Sequence, residues 1–260
     1  VDAYNIAIGH SAGQAITTAV EDTVIGGFAG SSLTTGGRNT ALGYKALRQE
    51  TEGNYNTAIG TEALALQNTA SNSYNTAVGY RAGYNTTTGN RNITIGGHAG
   101  FSLTTGIKNI AVGNGALYSE DTGSKSVAVG NDALKHQNYD GDAYNVAVGF
   151  DAGNDITTGI QNTLIGGLAG DALTTGSDNV AIGLNALGLE DTGSRNVAIG
   201  KSALTNQNYD GAGYNTAVGY SAGNQVTTGI QNTIVGSLAG DALTTGARNI
   251  AIGYSALSSE

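Results

Sequence analysis

Polar and aliphatic residues alternate over a five-residue phrase that returns along the whole chain; Asn5-Ile6-Ala7-Ile8-Gly9 is its first copy. The closing glycines fall at 9, 26, 43, 60, 79, 96, 113, 130, 149, 166, 183, 200, 219, 236 and 253. Their spacings are 17, 17, 17 and 19, then the same again, so a coil-sized period is nested in a block of 70 residues. One residue before the glycine, all 15 copies carry Ile, Val or Leu; three before it, all carry Ile, Val or Thr. Three residues after it, all 15 are Ala, and four after it the series runs Gly, Gly, Leu, Leu through each block. β-Branched residues at alternate positions favour extended backbone and put both side chains on one face. Frequent glycine and the lack of a 3.6-residue period exclude helix. The period predicts one turn of a β-solenoid, with two short strands and two corners per coil and the aliphatic pair buried.

The expected architecture is all-β: a parallel β-solenoid of about 15 coils spanning residues 1–260 as a single repetitive domain. Its blocks are 1–70, 71–140, 141–210 and an incomplete 211–260. Burying two aliphatic side chains yields roughly 1.5–3 kcal/mol each. Ordering a coil costs about 1–2 kcal/mol per residue, so a coil alone is unstable and stability comes from neighbours. Coils about 4.8 Å apart would make a rod on the order of 70 Å long. Four residues before each glycine stands a column of Asn: Asn5, Asn39, Asn56, Asn75, Asn92, Asn109, Asn145, Asn162, Asn179, Asn196, Asn215, Asn232 and Asn249, with Asp22 and Ser126 as exceptions. This column predicts a structural ladder in which each side-chain amide bonds the ones above and below. Corner glycines supply positive φ, and Asn tolerates the left-handed region.

Composition narrows the possibilities. Gly is 42 of 260 residues, and Pro, Cys, Met and Trp are absent, so the interior must be thin and aliphatic, with neither disulfides nor thiolate metal sites. A net charge of -9 offers no basic stripe for nucleic acid or anionic membrane. No 18-residue apolar run exists, so no membrane insertion is expected of this segment. Val1 opens inside a repeat and Glu260 closes partway through a coil, as expected of a processed chain or a piece of a longer fibre.

The phrases Ser126-Val127-Ala128-Val129-Gly130 and Asn196-Val197-Ala198-Ile199-Gly200 resemble the head repeats of YadA-type trimeric autotransporter adhesins. The longer Thr158-Gly159-Ile160-Gln161-Asn162-Thr163-Leu164-Ile165-Gly166 is similar to repeats of phage-like tail-fibre proteins. The resemblance covers essentially the whole chain. It implies a left-handed parallel β-roll, three chains side by side, and exposure on a cell or virion surface. The family's usual coil is shorter, so these corners are longer.

Chemistry is sparse in the sequence. Asp121-Thr122-Gly123-Ser124 and Asp191-Thr192-Gly193-Ser194 match the aspartic-protease tetrapeptide. That site needs two such loops facing each other behind an apolar strand; here Glu120 and Glu190 precede them, and a corner turn is expected. Asp140 and Asp142 could offer oxygen to Ca²⁺, but the last block keeps only Asp210, so solvated turns are expected. His10, His98 and His136 fall in different columns. No catalytic, cofactor-binding or metal-binding residue is assigned, no cofactor is expected, and the chain reads as a non-enzyme.

One column could serve recognition. Tyr4, Tyr74, Tyr144 and Tyr214 recur once per block, and His10, Tyr80, Phe150 and Tyr220 form a second, partly aromatic series. Such residues could stack on sugars or pack on a partner chain, or simply cover the wider coil. Glu50, Glu120, Glu190 and Glu260 share another column, and Arg38, Lys108 and Arg248 a further one. The expected function is a structural or adhesive element of an extracellular fibre: a stiff rod with a repeated binding surface. Its partners would be itself, as a homotrimer or an end-to-end filament, and a surface glycan or host-cell receptor. A phage tail-fibre receptor-binding shaft and an ice- or glycan-binding solenoid are the alternatives.

Overall fold

A computed structural model describes residues 3–259, and the Glu260 member of the glutamate column lies outside them. The chain is all-β, a parallel β-solenoid of fifteen turns with one three-residue strand per turn. It divides into two units: one runs to Ser126 and includes Asp140–Asp142, and the other comprises Val127–Tyr139 and the chain from Ala143 on. The first unit holds β1 (Ile6–Ile8), β2 (Thr23–Ile25), β3 (Thr40–Leu42), β4 (Thr57–Ile59), β5 (Thr76–Val78), β6 (Ile93–Ile95) and β7 (Ile110–Val112). The second holds β8 (Val127–Val129), β9 (Val146–Val148), β10 (Thr163–Ile165), β11 (Val180–Ile182), β12 (Val197–Ile199), β13 (Thr216–Val218), β14 (Thr233–Val235) and β15 (Ile250–Ile252).

Within each unit every strand pairs in parallel with its neighbour in chain order, in a register that repeats the sequence period: Thr40 opposes Thr57, and Val180 opposes Val197. Among the described residues the expected second strand of each coil is not formed, and isolated bridges such as that between Asn54 and Asn72 stand in its place in some coils. Two steps past the anchor glycine, side-chain-bearing residues such as Lys45 and Asp151 sit at positive φ, and so do Leu47 and Leu187 four steps past it. Each costs about 1–2 kcal/mol in isolation and breaks an extended run. Coil-to-coil backbone bonds nevertheless continue through these turns, as from Gly30 N–H to Ala46 O (2.9 Å) and Thr34 N–H to Thr51 O (2.8 Å). The left-handed residue beside the Asn column is not the Asn but the one before it, including Tyr4, Arg38 and Tyr144.

The interior is the reverse of the expected one. In fourteen of the fifteen strands the central residue is buried while its two flanking residues are half-buried or exposed; in β1 all three are exposed. The core is therefore built from small residues such as Ala41, Ala128 and Ala198, with the second Ala column at Ala46, Ala133 and Ala203. The aliphatic pair of each strand faces outward.

Larger core side chains obey an exchange between two positions. Where the fourth residue after the anchor is Gly, the seventh is aliphatic in every coil but one: Gly30 stands with Leu33 and Gly153 with Ile156, while Gly83 stands with Thr86. A methyl added at Gly30 would lie 2.8 Å from Leu33 Cδ1. Where the fourth residue is a buried Leu, as at Leu47, Leu64, Leu187 and Leu204, the seventh is Glu or Gln: Glu50, Gln67, Glu190 and Gln207. Between these two positions a coil holds one large aliphatic side chain, and where that is the Leu the other site turns polar to serve the corner; the strand centre can add another, as Leu164 does beside Leu173.

Gly213 marks a flaw in this scheme. The equivalent residues are Ser73 and Ala143. In the first unit Gln67 Nε2 donates to Glu50 Oε2 (2.9 Å), and Ser73 Oγ bonds Thr69 Oγ1 (2.5 Å). In the second, Gln207 Nε2 has moved to 2.6 Å from where a Gly213 Cβ would stand, and Gln207 Nε2 and Asn196 Nδ2 lack hydrogen-bond partners. Gly213→Ser should push both flexible amides back and restrict the unfolded chain, raising stability by about 0.5–1 kcal/mol. A higher urea midpoint is the expected reading; a lower one contradicts this packing account.

Candidate functional site: an uncharged outer face

Two outward columns follow from strand alternation. In the first unit Ile8, Leu42, Ile93 and Ile95 belong to them and are exposed, Ile8 by 59%. In the second, Ile165, Val235, Ile250 and Ile252 do so. Both flanking positions of all fifteen strands are Ile, Val, Leu or Thr, so no charge falls on this face.

Aromatics border the face. Tyr74, Tyr144 and Tyr214 are exposed by 45%, 49% and 52%, and Tyr4 by more. The second series, Tyr80, Phe150 and Tyr220, is equally open. Once per block the order is therefore aromatic, outward residue, outward residue, aromatic at steps of two, as in Tyr144-Val146-Val148-Phe150. Tyr74 stacks on Tyr55 with centroids 4.9 Å apart and planes 9° from parallel. Arg38 donates to Tyr55 Oη (2.8 Å) and to Glu21 (2.9 Å), and Arg195 donates to Tyr214 Oη (3.2 Å). These contacts fix how the rim side chains stand.

The Asn column is buried along both units, but its bonding differs from a side-chain ladder. Asn39 Oδ1 accepts the backbone N–H of Asn56 (2.9 Å), and Asn162 Oδ1 that of Asn179 (3.0 Å). The amide NH₂ is turned to the end of its own coil, Asn39 Nδ2 to Gly53 O (2.9 Å) and Asn162 Nδ2 to Gly176 O (2.9 Å). Direct amide-to-amide bonds join only some rungs, among them Asn56 to Asn39 (3.1 Å) and Asn249 to Asn232 (3.1 Å). Backbone N–H groups at the strand entry have no partner in the strand ladder, and they outcompete the neighbouring side chain for the oxygen.

The glutamate column is not a surface feature: Glu50, Glu120 and Glu190 are wholly buried. Each caps its own corner. Gly53, Gly123 and Gly193 donate their N–H groups to these carboxylates at 2.7, 2.7 and 2.8 Å. Burial pushes the Glu190 carboxyl upward, opposed by the N–H groups of Gly193 and Tyr209. The Asp-Thr-Gly-Ser stretches are these same corners, with Asp121 and Asp191 accepting from Thr122 and Thr192 N–H (both 2.7 Å). Asp140 accepts from Thr122 Oγ1 (2.8 Å), and Asp142 pairs with Lys125 (2.6 Å), so both latch adjacent turns. Among the described residues no three His, Cys, Asp or Glu side chains converge as a metal site would require.

An aromatic run five residues after the anchor had gone unread. Tyr84, Phe101 and Tyr118 stack with centroid separations of 5.5 and 5.2 Å, and Arg81 lies over Tyr84 (5.3 Å). Its signal was three aromatics at steps of 17 in one block; the corresponding residues elsewhere include Ser31, Asn154 and Asp171.

The chain matches no protein-family model and no curated protein sequence.

Proposed function

We propose that the protein is a self-assembling structural element of a surface fibre, with copies packed side by side through the uncharged strand face. The observation that carries this reading is the inversion of the strand: its central residue, most often Ala, is inside, and its flanking Ile, Val, Leu or Thr residues are outside. A monomer rarely leaves a contiguous apolar face uncovered, and a chain with net charge of -9 that keeps every charge off one face has a surface suited to a like surface. The resemblance to trimeric adhesin heads supports three copies. The exposed tyrosines would then stand at the seams or beside them, repeated once per block, where weak contacts to a glycan or receptor add by multivalency. A tail-fibre shaft would use the same assembly and differ in what it is attached to.

Sedimentation velocity tests the assembly. The chain should sediment as an oligomer, and Val129→Glu with Val148→Glu should give a monomer with the wild-type circular dichroism spectrum. An unaltered oligomer in the double variant, or a monomeric wild type at all concentrations, contradicts the proposal.

A further inference from the structure

A carboxyl group interrupts the asparagine column. Asp22 is fully buried in the position that thirteen other coils give to Asn. Its Oδ1 behaves as an asparagine oxygen, accepting the N–H of Asn39 (2.8 Å), while its own N–H donates to Asn5 Oδ1 (2.8 Å). Its Oδ2 is buried and has no hydrogen-bond partner. In the coils of Asn5, Asn39, Asn92 and Asn109 the corresponding atom is an amide nitrogen. It donates to the carbonyl 14 residues on, that of Ala19, Gly53, Gly106 or Gly123, at 2.8–2.9 Å. In the coil of Asp22 that carbonyl belongs to Gly36, which is also buried. An ionised Oδ2 would set lone pairs against lone pairs there, in a setting where an unpaired buried charge is costly. A protonated one has a hydrogen to give.

We propose that Asp22 sits in the solenoid as the neutral acid, its Oδ2–H donating to the Gly36 carbonyl in place of the missing amide, so that one rung of the first unit depends on a bound proton.

The surroundings agree. The side chains bracketing Asp22 are those of Asn5 and Asn39, both uncharged. Titratable groups of the preceding coil are Tyr4 and His10; Glu21 shares the coil of Asp22; Arg38, Tyr44, Lys45, Arg48, Glu50 and Glu52 lie on the next. Glu21 and Arg38 pair with each other at an exposed site (2.9 Å), and Glu50 accepts from Thr51 and Gly53 N–H. None of these hydrogen-bonds Asp22. Burial raises its carboxyl from 3.8 to about 6, outweighing the bonds from Asn39 that favour ionisation. The folded value lies above the unfolded one, so the stabilisation is complete below the unfolded value, is lost progressively as pH rises to the folded value, and then levels.

Urea denaturation of the full chain and of Asp22→Asn, between about pH 4 and pH 7.5, reads this directly. The variant restores the column and should fold. The two should be close at the acid end, diverge up to about pH 6 with the variant the more stable, and run parallel above it, the gap reaching roughly 100-fold in the unfolding equilibrium. Infrared difference spectra of the folded chain at pH 5 should show a carboxylic-acid C=O stretch that Asp22→Asn lacks. A gap that does not change with pH, or the absence of that band, overturns the proposal.

Discussion

Gly149→Val should abolish cooperative folding of the second unit. Gly149 holds φ +148°, which L side chains rarely adopt, and an added Cβ would lie 2.4 Å from the carbonyl oxygen of Gly166. That oxygen is backbone in the next coil, so relief requires moving a whole rung rather than one side chain. The same crowding recurs along the anchor column, for example at Gly183 against Gly200 and Gly219 against Gly236. A cost above about 4 kcal/mol is expected, in the range reserved for core disruption and backbone strain. The nearby change Val146→Thr, on the outer face, should shift the isolated chain by less than about 1 kcal/mol, since Thr already serves at equivalent outward positions such as Thr76, Thr163 and Thr216. Thermal melts followed by circular dichroism separate the two. A cooperative, near-wild-type melt in Gly149→Val contradicts the coil-to-coil crowding.

Glu50→Leu is expected to be nearly as damaging, for a different reason. Glu50 Oε1 accepts the N–H groups of Thr51 (3.0 Å), Gly53 (2.7 Å) and Thr69 (3.1 Å), and Oε2 accepts Gln67 Nε2 (2.9 Å). Leucine would leave several of these donors buried and unpaired, at about 1–3 kcal/mol each. A total loss of roughly 3–5 kcal/mol follows, the range seen when one member of a buried polar set is removed. Glu50→Gln keeps one acceptor oxygen but sets an NH₂ against the Gln67 amide, so about 1–2 kcal/mol is expected. Denaturant unfolding should rank Leu below Gln below wild type. Equal stability of the Leu variant and the wild type would mean the carboxylate does not hold the corner.

The two periods, and with them the stacked parallel coils, were legible in the sequence because each coil must repeat the backbone of the last. Which face lay inside was not. Val127 and Val129 outweigh Ala128 on any scale of apolarity, and a strand normally buries its larger side chains. What reverses the choice is the narrowness of the coil: its cross-section admits Ala128, the second alanine Ala133 and one larger residue such as Leu134. The columns carry the mark of this reversal nonetheless. Gly, Gly, Leu, Leu at one position against aliphatic, aliphatic, Glu, Gln three residues later, with Thr86 the one departure, is a volume exchange, which makes sense only if both positions point into one small space. The buried glutamates went unread for the same reason, since a charge recurring once per block looks like a surface decoration until its partners are the N–H groups of its own corner. The rim tyrosines were visible as a series and stand exposed, but alternation alone did not say that they border an uncharged face.

Single cysteines in this cysteine-free chain give the most direct test of the inverted coil and of the assembly it supports. Ala181→Cys should resist thiol labelling at every protein concentration, while Ile182→Cys should label readily in dilute solution and progressively slower as the chain is concentrated. Rapid labelling at 181 with protection at 182 in dilute solution would turn the coil right side in, and labelling at 182 that ignores concentration would leave the outer face without a second copy to cover it.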